Sequence, residues 1–134
     1  MNEWLPKFKG EKLLAEIAKS TDGLTYISET DAPVEPVFID HDHTKDFLDS
    51  ITKDEKSKTV TPSVFFGRLT TNKEWFGPNE TARAKKFALL EEILRSNLSD
   101  LKVVRVGRIR IDIYVVGLDA DKNLIGIKTK AVET

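Results

Sequence analysis

The spacing of apolar residues predicts helices in the first two-thirds of the chain. A stripe of leucine, isoleucine and alanine at helical spacing predicts a helix over residues 10–20. Thr61 followed by Pro62 predicts the start of a short second helix, because threonine is a good N-cap and proline suits the first helical position. Apolar residues on one face predict the longest helix over residues 79–97.

The last third of the chain is predicted to consist mainly of strands. Residues 103–106, 109–115 and 124–132 carry β-branched and alternating apolar residues, which predict three strands. An earlier strand is predicted over residues 34–39, at a sheet edge because it contains Pro36. Helices followed by antiparallel strands indicate an α+β domain built in packed layers.

Residues 40–60 give the weakest structural signal. Phe47, Leu48 and Ile51 predict one or two helical turns, and residues 54–58 read as a solvated loop. Residues 28–33 also read as a loop, after a partly buried segment over residues 24–27. Trp4, Leu5 and Phe8 are expected to pack on the body of the domain.

Composition narrows the class of protein. The chain has 134 residues, of which 40% are hydrophobic and 32% charged, and these values suit one soluble domain. It has no cysteine, which excludes disulfides, thiolate nucleophiles and cysteine metal sites. No stretch has the length of a membrane span, and the first seven residues lack the apolar core of a secretory signal. We therefore expect a cytoplasmic protein without membrane contact.

The charge balance excludes a further group of functions. The net charge of −1 comes from 21 basic and 22 acidic residues. A general nucleic-acid-binding protein should show a basic surplus, and a protein that mimics DNA by bulk charge should be strongly acidic. Neither direct nucleic-acid binding nor bulk mimicry is expected, so any chemistry related to nucleic acids must be local.

Asp40-His41-Asp42-His43 is the cluster that most resembles a set of metal ligands. Residues one apart on a strand point to opposite faces, so at most one like pair could share a metal. A hydrolytic zinc site also needs a third ligand and a general base. A solvent-exposed polar turn is the simpler interpretation, but a metal-binding hydrolase centred on His41 and His43 stays open as an alternative function.

Other catalytic signatures are missing from the sequence. It contains no phosphate-binding glycine loop, dinucleotide-binding motif, HExxH motif or GxSxG motif. With no cysteine and two histidines in one region, a nucleophile–base triad has few places to form. We therefore expect a protein that is not an enzyme and needs no cofactor.

Three residues remain as candidates for binding another protein. Trp75 lies in a polar loop, where it is either an interface anchor or a cap on the core beneath the long helix. Glu29 reads as an ordinary loop glutamate. Thr134 ends the chain seven residues after Ile127, and its hydroxyl and α-carboxylate could enter a cationic or metal-containing pocket. Fraying of the last strand into solvent is the alternative for Thr134.

Motifs distributed over residues 11–134 resemble the nuclease A inhibitor family of cyanobacteria and other bacteria. The resemblance rests on segments in matching order and with similar spacing: Gly23-Leu24, Ser28-Glu29, Phe65-Phe66, residues 68–71, Trp75-Phe76, residues 96–98, residues 112–117, residues 123–130 and Val132-Glu133-Thr134. The terminal block is the most specific part. Residues 1–10 look like an N-terminal extension of a single inhibitor-like domain spanning residues 1–134.

The resemblance implies a three-layer α/β/α sandwich with a mainly antiparallel sheet. It implies a stoichiometric 1:1 inhibitor, monomeric when free, of a sugar-non-specific Mg²⁺-dependent ββα-metal nuclease. Glu29 would pair with arginines of the nuclease in place of a substrate phosphate. Trp75, with Lys73 and Glu74, would contribute to the interface.

The same resemblance implies a role for the end of the chain. Thr134 would approach the catalytic Mg²⁺ of the partner, and the protein would hold no metal of its own. Thr129 and Lys130 would support the last strand and hold Thr134 on a rigid base. We expect Glu29, Trp75 and Thr134 to act as separated contact points. Residues 40–60 and the neighbours of Trp75 depart from the family pattern, which leaves the target nuclease open, and the partner could also be a protein other than a nuclease.

Overall fold

The structure is a computed structural model that describes residues 10–71 and 73–134. An antiparallel five-stranded sheet forms its middle layer. The elements, numbered in chain order, are α1 (Glu11–Thr21), β1 (Thr25–Ile27), β2 (Asp31–Pro33), β3 (Glu35–Ile39), α2 (His41–Thr52), β4 (Ser57–Val60), α3 (Pro62–Thr70), α4 (Pro78–Asn97), β5 (Ser99–Val106), β6 (Arg110–Leu118) and β7 (Leu124–Val132).

The sheet has the strand order β3-β7-β6-β5-β4, and every neighbouring pair is antiparallel. Strands β5 and β7 therefore run in the same direction, and their C-terminal residues lie at the same end of the sheet. Strands β1 and β2 form a separate two-stranded hairpin, with Tyr26 opposite Ala32.

One face of the sheet carries the main core. Ile113, Val115, Ile125 and Ile127 alternate along β6 and β7 and pack with buried side chains of α1, α3 and α4, because strand residues two apart share a face. The helical contribution consists of Ile17, Phe65, Phe66, Phe87, Leu90, Ile93 and Leu94. This face therefore holds three of the four helices that the structure describes.

The opposite face carries α2. Val37, Val116 and Leu124 are buried there, and Phe47 and Leu48 of α2 pack against them. Helices lie on both faces of the sheet, so the predicted α+β fold with three α/β/α layers and a mainly antiparallel sheet is confirmed.

Residues 40–60 contain more regular structure than the sequence predicts. Helix α2 spans 12 residues instead of one or two turns, and part of the predicted loop is β4, which pairs with β5. Strand β2 replaces the second half of the loop predicted over residues 28–33, whereas residues 28–30 form the turn of the β1–β2 hairpin. Strand β4 is a polar edge strand, Ser57-Lys58-Thr59-Val60, and has no apolar pattern that would predict it. Its conformation is decided by the tertiary pairing with β5.

The predicted helix positions are confirmed within one residue at each end for α1 and α4. Strand β5 begins at Ser99, four residues before the predicted start at residue 103. Its pairing with β6 shifts register between Ser99 and Lys102, and Asp100 has a positive φ of 52°. Such an irregularity breaks the alternation by which a strand is recognised.

Within the described ranges, no helix combines the length and the apolar character that a bilayer span requires. The predicted packing of Trp4, Leu5 and Phe8 lies outside the described residues, as does the predicted N-terminal extension up to residue 9.

Candidate functional site

The turn between β1 and β2 is attached to the end of β7. The Ser28 hydroxyl accepts a hydrogen bond from the Val132 amide at 3.0 Å. The Glu29 amide donates to the Val132 carbonyl at 3.1 Å. These two bonds fix the backbone of Glu29 beside the last residues of the chain, although more than one hundred residues separate them in sequence.

Glu29 and Thr134 bind each other directly. The Thr134 amide donates to Glu29 Oε2 at 2.5 Å, and the Thr134 hydroxyl donates to Glu29 Oε1 at 2.8 Å. Both residues are exposed. The carboxylate therefore holds the end of the chain in one orientation at the surface instead of leaving it to fray.

The same hydrogen bonds set the ionisation of Glu29. The Thr134 amide, and then the Thr134 hydroxyl, lower the pKa of the Glu29 carboxyl below its ordinary value of 4.5, because both bonds favour the charged form. Glu29 is therefore an exposed anion at neutral pH. An ionised carboxylate has about four acceptor sites, so it retains capacity for donors from another molecule.

The expectation of three separated contact points is wrong for Glu29 and Thr134. The structure joins them into one unit, which we call the terminal clasp and define as Ser28, Glu29, Val132 and Thr134. No sequence pattern relates two residues at such separation, because pairing of the β1–β2 turn with β7 is what brings them together.

Thr129 and Lys130 occupy opposite faces of β7. The Thr129 side chain is only 4% exposed, and its hydroxyl donates to the Pro33 carbonyl at 3.0 Å. This bond ties β2 to β7 near the terminal clasp. Lys130 is exposed, lies opposite Asp112 in the sheet register and lines a recess of about 360 Å³ with Tyr114 on the α2 face.

Trp75 lies on the surface, so the alternative of a tryptophan capping the core is excluded. Its side chain is 70% exposed, and its ring meets the ring of Phe76 edge to face at 4.8 Å. The Lys73 ammonium lies 5.8 Å from the centre of the Trp75 ring, within the range of a cation–π contact. Lys73 and Glu74 are exposed as well. Phe76, which is partly buried, anchors the loop instead.

The path of the chain directs the Trp75 loop toward the end of the sheet that carries the terminal clasp. Helix α4 starts directly after the loop and reverses at Leu98 into β5, so its N-terminus lies toward the end of the sheet where β5 and β7 finish. The start of α4 also meets the segment that leads into β1, where the Lys86 ammonium donates to the Asp22 carbonyl at 3.3 Å. This path is compatible with a carboxylate unit and a tryptophan that face one partner.

Two isoleucines at this end were not singled out from the sequence. Ile109, in the turn between β5 and β6, is 56% exposed, and its carbonyl accepts from the Glu133 amide at 2.9 Å. Ile27 ends β1 and is 44% exposed. The alternating pattern of residues 109–115 predicts burial of Ile109, and Ile27 belongs to a segment expected to be partly buried. Both add exposed apolar surface near the clasp, as is common at interfaces.

The histidine cluster takes a different form from the predicted turn. Asp40 is the N-cap of α2, and its carboxylate accepts from the His43 amide at 3.2 Å. The His43 ring lies 2.7 Å from the same carboxylate, and the His41 ring lies 3.3 Å from Asp42. All four side chains are exposed, and the described residues contain no group of three or more acidic, histidine or cysteine side chains placed to hold a metal ion.

Two comparisons with known proteins bear on the family to which this chain belongs. A search among curated proteins finds no significant match. The profile of one protein family, nuclease A inhibitor-like protein, matches residues 11–134, which include the terminal clasp, the Trp75 loop and all eleven elements of the fold. The chain therefore belongs to the nuclease A inhibitor-like family.

Proposed function

We propose that this protein is a stoichiometric inhibitor of a sugar-non-specific, Mg²⁺-dependent ββα-metal nuclease, and that it blocks the active site of that enzyme in a 1:1 complex. Family membership over residues 11–134 supports an inhibitor, and the geometry of the terminal clasp supports the mode of inhibition. The protein contributes no catalytic group and no metal of its own to this mechanism.

The terminal clasp supplies the oxygens that a nuclease active site is built to bind. Such a site holds a hydrated divalent cation and basic side chains placed for phosphate oxygens. The ionised Glu29 carboxylate stands in for a substrate phosphate and accepts hydrogen bonds from arginines of the nuclease. Thr134, held against Glu29 by its amide and hydroxyl, is directed toward the Mg²⁺.

Preformation of the clasp makes this insertion favourable. A flexible chain end would lose conformational entropy on entering the active site, whereas a hydrogen-bonded end has lost most of it in the free protein. The hydrogen bond from the Thr129 hydroxyl to the Pro33 carbonyl holds β7 in place next to the clasp. Lys130 is the next residue of β7, and its side chain is exposed. The near-neutral net charge is compatible with this mode, because a few well-placed oxygens replace bulk charge.

The loop with Lys73, Glu74 and Trp75 supplies a second contact. Exposed tryptophan is among the residues most often found to dominate interface energetics. Ile27 and Ile109 add apolar surface next to the clasp, which helps to exclude water from the charge-assisted hydrogen bonds. The observation that carries the proposal is the Glu29–Thr134 pair, an exposed carboxylate that orients the end of the chain.

Inhibition of a purified ββα-metal nuclease tests the proposal. The wild-type protein is titrated against the enzyme with a DNA substrate, beside a variant that carries two alanines after Thr134 and a Glu29→Gln variant. We expect a sharp endpoint at one inhibitor per enzyme for the wild type. Both variants should weaken inhibition at least about tenfold, because loss of a charge-assisted contact in a dry interface is costly.

The outcomes distinguish a wrong role for Thr134 from a wrong target for the protein. Full inhibition by the extended variant would contradict the role of Thr134, because two added residues could not fit against the metal. Glu35→Gln provides the matched control, since Glu35 is an exposed glutamate on β3 away from the clasp and should inhibit like the wild type. Wild-type protein that inhibits none of a panel of such nucleases would contradict the proposed function itself.

A further inference from the structure

A second recess lies on the face of the sheet that carries α1, α3 and α4, at the β4 edge. It has a volume of about 230 Å³ and is lined by residues of β1, β4, α3 and β5. Three of the lining side chains are cationic, namely Lys58, Arg68 and Arg105, and Tyr26 forms part of the wall. The proposed inhibitory mechanism makes no use of these side chains.

Two of the cations face each other across neighbouring strands. Lys58 of β4 is directly opposite Arg105 of β5 in the sheet register, so their side chains share one face. Like charges at directly opposite positions destabilise a sheet. Arg68 approaches the same recess from α3, which adds a third positive charge to an already unfavourable pair.

Among the residues that the structure describes, one ion pair involves these cations. Glu133 binds Arg105 at 2.6 Å, whereas Lys58 and Arg68 form no ion pair with any residue in the described ranges 10–71 and 73–134. Three cations against one carboxylate leave an excess of two positive charges. The whole chain has a net charge of −1, so this excess is local to the recess.

Tyr26 gives the recess a neutral donor and a rigid wall. Its ring stacks on Phe65 with centres 5.9 Å apart and an angle of 5° between planes. Burial raises the pKa of Tyr26, against a lowering by Arg105, so the hydroxyl keeps its proton at neutral pH. Tyr26 lines the same recess as Arg68 and Arg105, and the charges of Arg105, Glu133 and Arg68 act on its hydroxyl.

We propose that this recess is a binding site for a phosphate group, either inorganic phosphate or the phosphate of a small phosphorylated molecule. A phosphate monoester carries about −1.5 to −2 charges at neutral pH, which matches the local excess. Arginine binds phosphate in a planar two-point geometry and lysine binds it as a point charge. The volume lies below the roughly 300–1,000 Å³ of usual small-molecule sites, so it suits one phosphate group and not a whole cofactor.

Phosphate in this site would also act on the end of the chain. It would compete with Glu133 for the guanidinium of Arg105, and Glu133 immediately precedes Thr134. The residues that would hold the phosphate belong to neither the terminal clasp nor the Trp75 loop, so phosphate binding itself does not depend on the proposed inhibition. It can therefore be tested on the isolated protein.

Isothermal titration calorimetry of the full chain with sodium phosphate at pH 7, with ionic strength held constant by chloride, tests the proposal. We expect saturable binding at one site per chain and at least about tenfold weaker binding by the Lys58→Gln/Arg68→Gln double variant. Lys85→Gln is the control, because Lys85 is exposed on α4 outside the recess. Adenosine monophosphate is titrated in parallel, and tighter binding than phosphate would identify a phosphorylated molecule as the occupant.

Thermal unfolding supplies a measurement that a misfolded variant cannot imitate. Without phosphate, Lys58→Gln should melt at the same temperature as the wild type or higher, because it removes a like-charge pair. Phosphate should then raise the melting temperature of the wild type and leave that of the double variant unchanged. Unsaturable heats with the wild type, equal binding by the double variant, or equal binding of sodium acetate would each overturn the proposal.

Discussion

Glu29 and Thr134 lie 105 residues apart in the sequence and are joined by the Thr134 amide and hydroxyl, which both donate to the Glu29 carboxylate. The bond orients the terminal residue, and the two donors keep the carboxylate ionised. A binding partner therefore meets a preformed group with several acceptor oxygens. Binding then costs less conformational entropy than it would if the end of the chain were a frayed strand.

The terminal clasp should open in acid. Because the pKa of Glu29 is lowered in the folded protein, its contribution to stability is present above the ordinary value of 4.5 and is lost as pH falls through the lower folded value. The Thr134 amide signal in proton–nitrogen NMR should titrate with a midpoint below 4.5. Glu29→Gln should abolish this titration, and a midpoint at or above 4.5 in the wild type would contradict the clasp.

The sequence predicts the layered α+β class well, because the apolar stripe of α1, the helical spacing of the buried residues in α4 and the β-branched residues of β7 identify those elements. It fails at β4 and α2 for different reasons. Strand β4 has little apolar character and depends on pairing with β5, whereas α2 has a polar exposed face and begins in a histidine–aspartate run that resembles a metal-ligand set. The Asp40 N-cap explains that run as the start of a helix.

The candidate site was only partly accessible to sequence reasoning. Glu29, Trp75 and Thr134 could be named through a family resemblance, but the contact between Glu29 and Thr134 arises from tertiary pairing of the β1–β2 turn with β7. The alternating pattern places Ile109 in a half-buried strand. It lies instead in the turn before β6, where an apolar residue in an alternating pattern is exposed.

Trp75→Ala should weaken nuclease inhibition by at least about tenfold while leaving the fold intact, because an exposed tryptophan at an interface is a frequent hot spot. The ring rests on Phe76 and contributes little to the core. Leu89→Ala is the matched control, since Leu89 is another large apolar side chain that is exposed, on α4. Equal inhibition by both variants in an endpoint titration would exclude the Trp75 loop from the interface.

Ile109→Ser should also weaken inhibition, by a smaller factor of about three to ten, because it removes apolar area beside the clasp without touching a charge. The backbone bond from Glu133 to the Ile109 carbonyl is retained in the variant. Val64→Ser serves as control, since Val64 is exposed on α3. Dissociation rates from surface plasmon resonance should rise for Ile109→Ser alone, and unchanged rates would place Ile109 outside the interface.

Thr129→Val should lower the free energy of unfolding by about 1 kcal/mol, because it removes a buried donor and leaves the Pro33 carbonyl without it. Thr59→Val on β4 is the control, since Thr59 is exposed. Urea unfolding followed by circular dichroism measures both. A supporting role further predicts that Thr129→Val weakens inhibition through a looser clasp. An unchanged free energy of unfolding would mean that the bond to Pro33 contributes nothing.

The start of α2 should be sensitive to pH through His43 and Asp40. The hydrogen bond to Asp40, and then its negative charge, raises the pKa of His43 above the ordinary value of 6.5. The bond from His43 in turn lowers the pKa of Asp40 below 3.8. Asp42 and Asp46 on the same helix raise the pKa of His43 further.

The contribution of this pair to stability is therefore largest between these two ordinary values. It is lost as pH rises through the folded pKa of His43 and as pH falls through that of Asp40. NMR titration of the His43 ring should give a midpoint above 6.5, and Asp40→Asn should bring the midpoint down. His43→Gln should reduce the melting temperature more below pH 6.5 than well above it. A His43 midpoint unaffected by Asp40→Asn would show that the two side chains do not interact in solution.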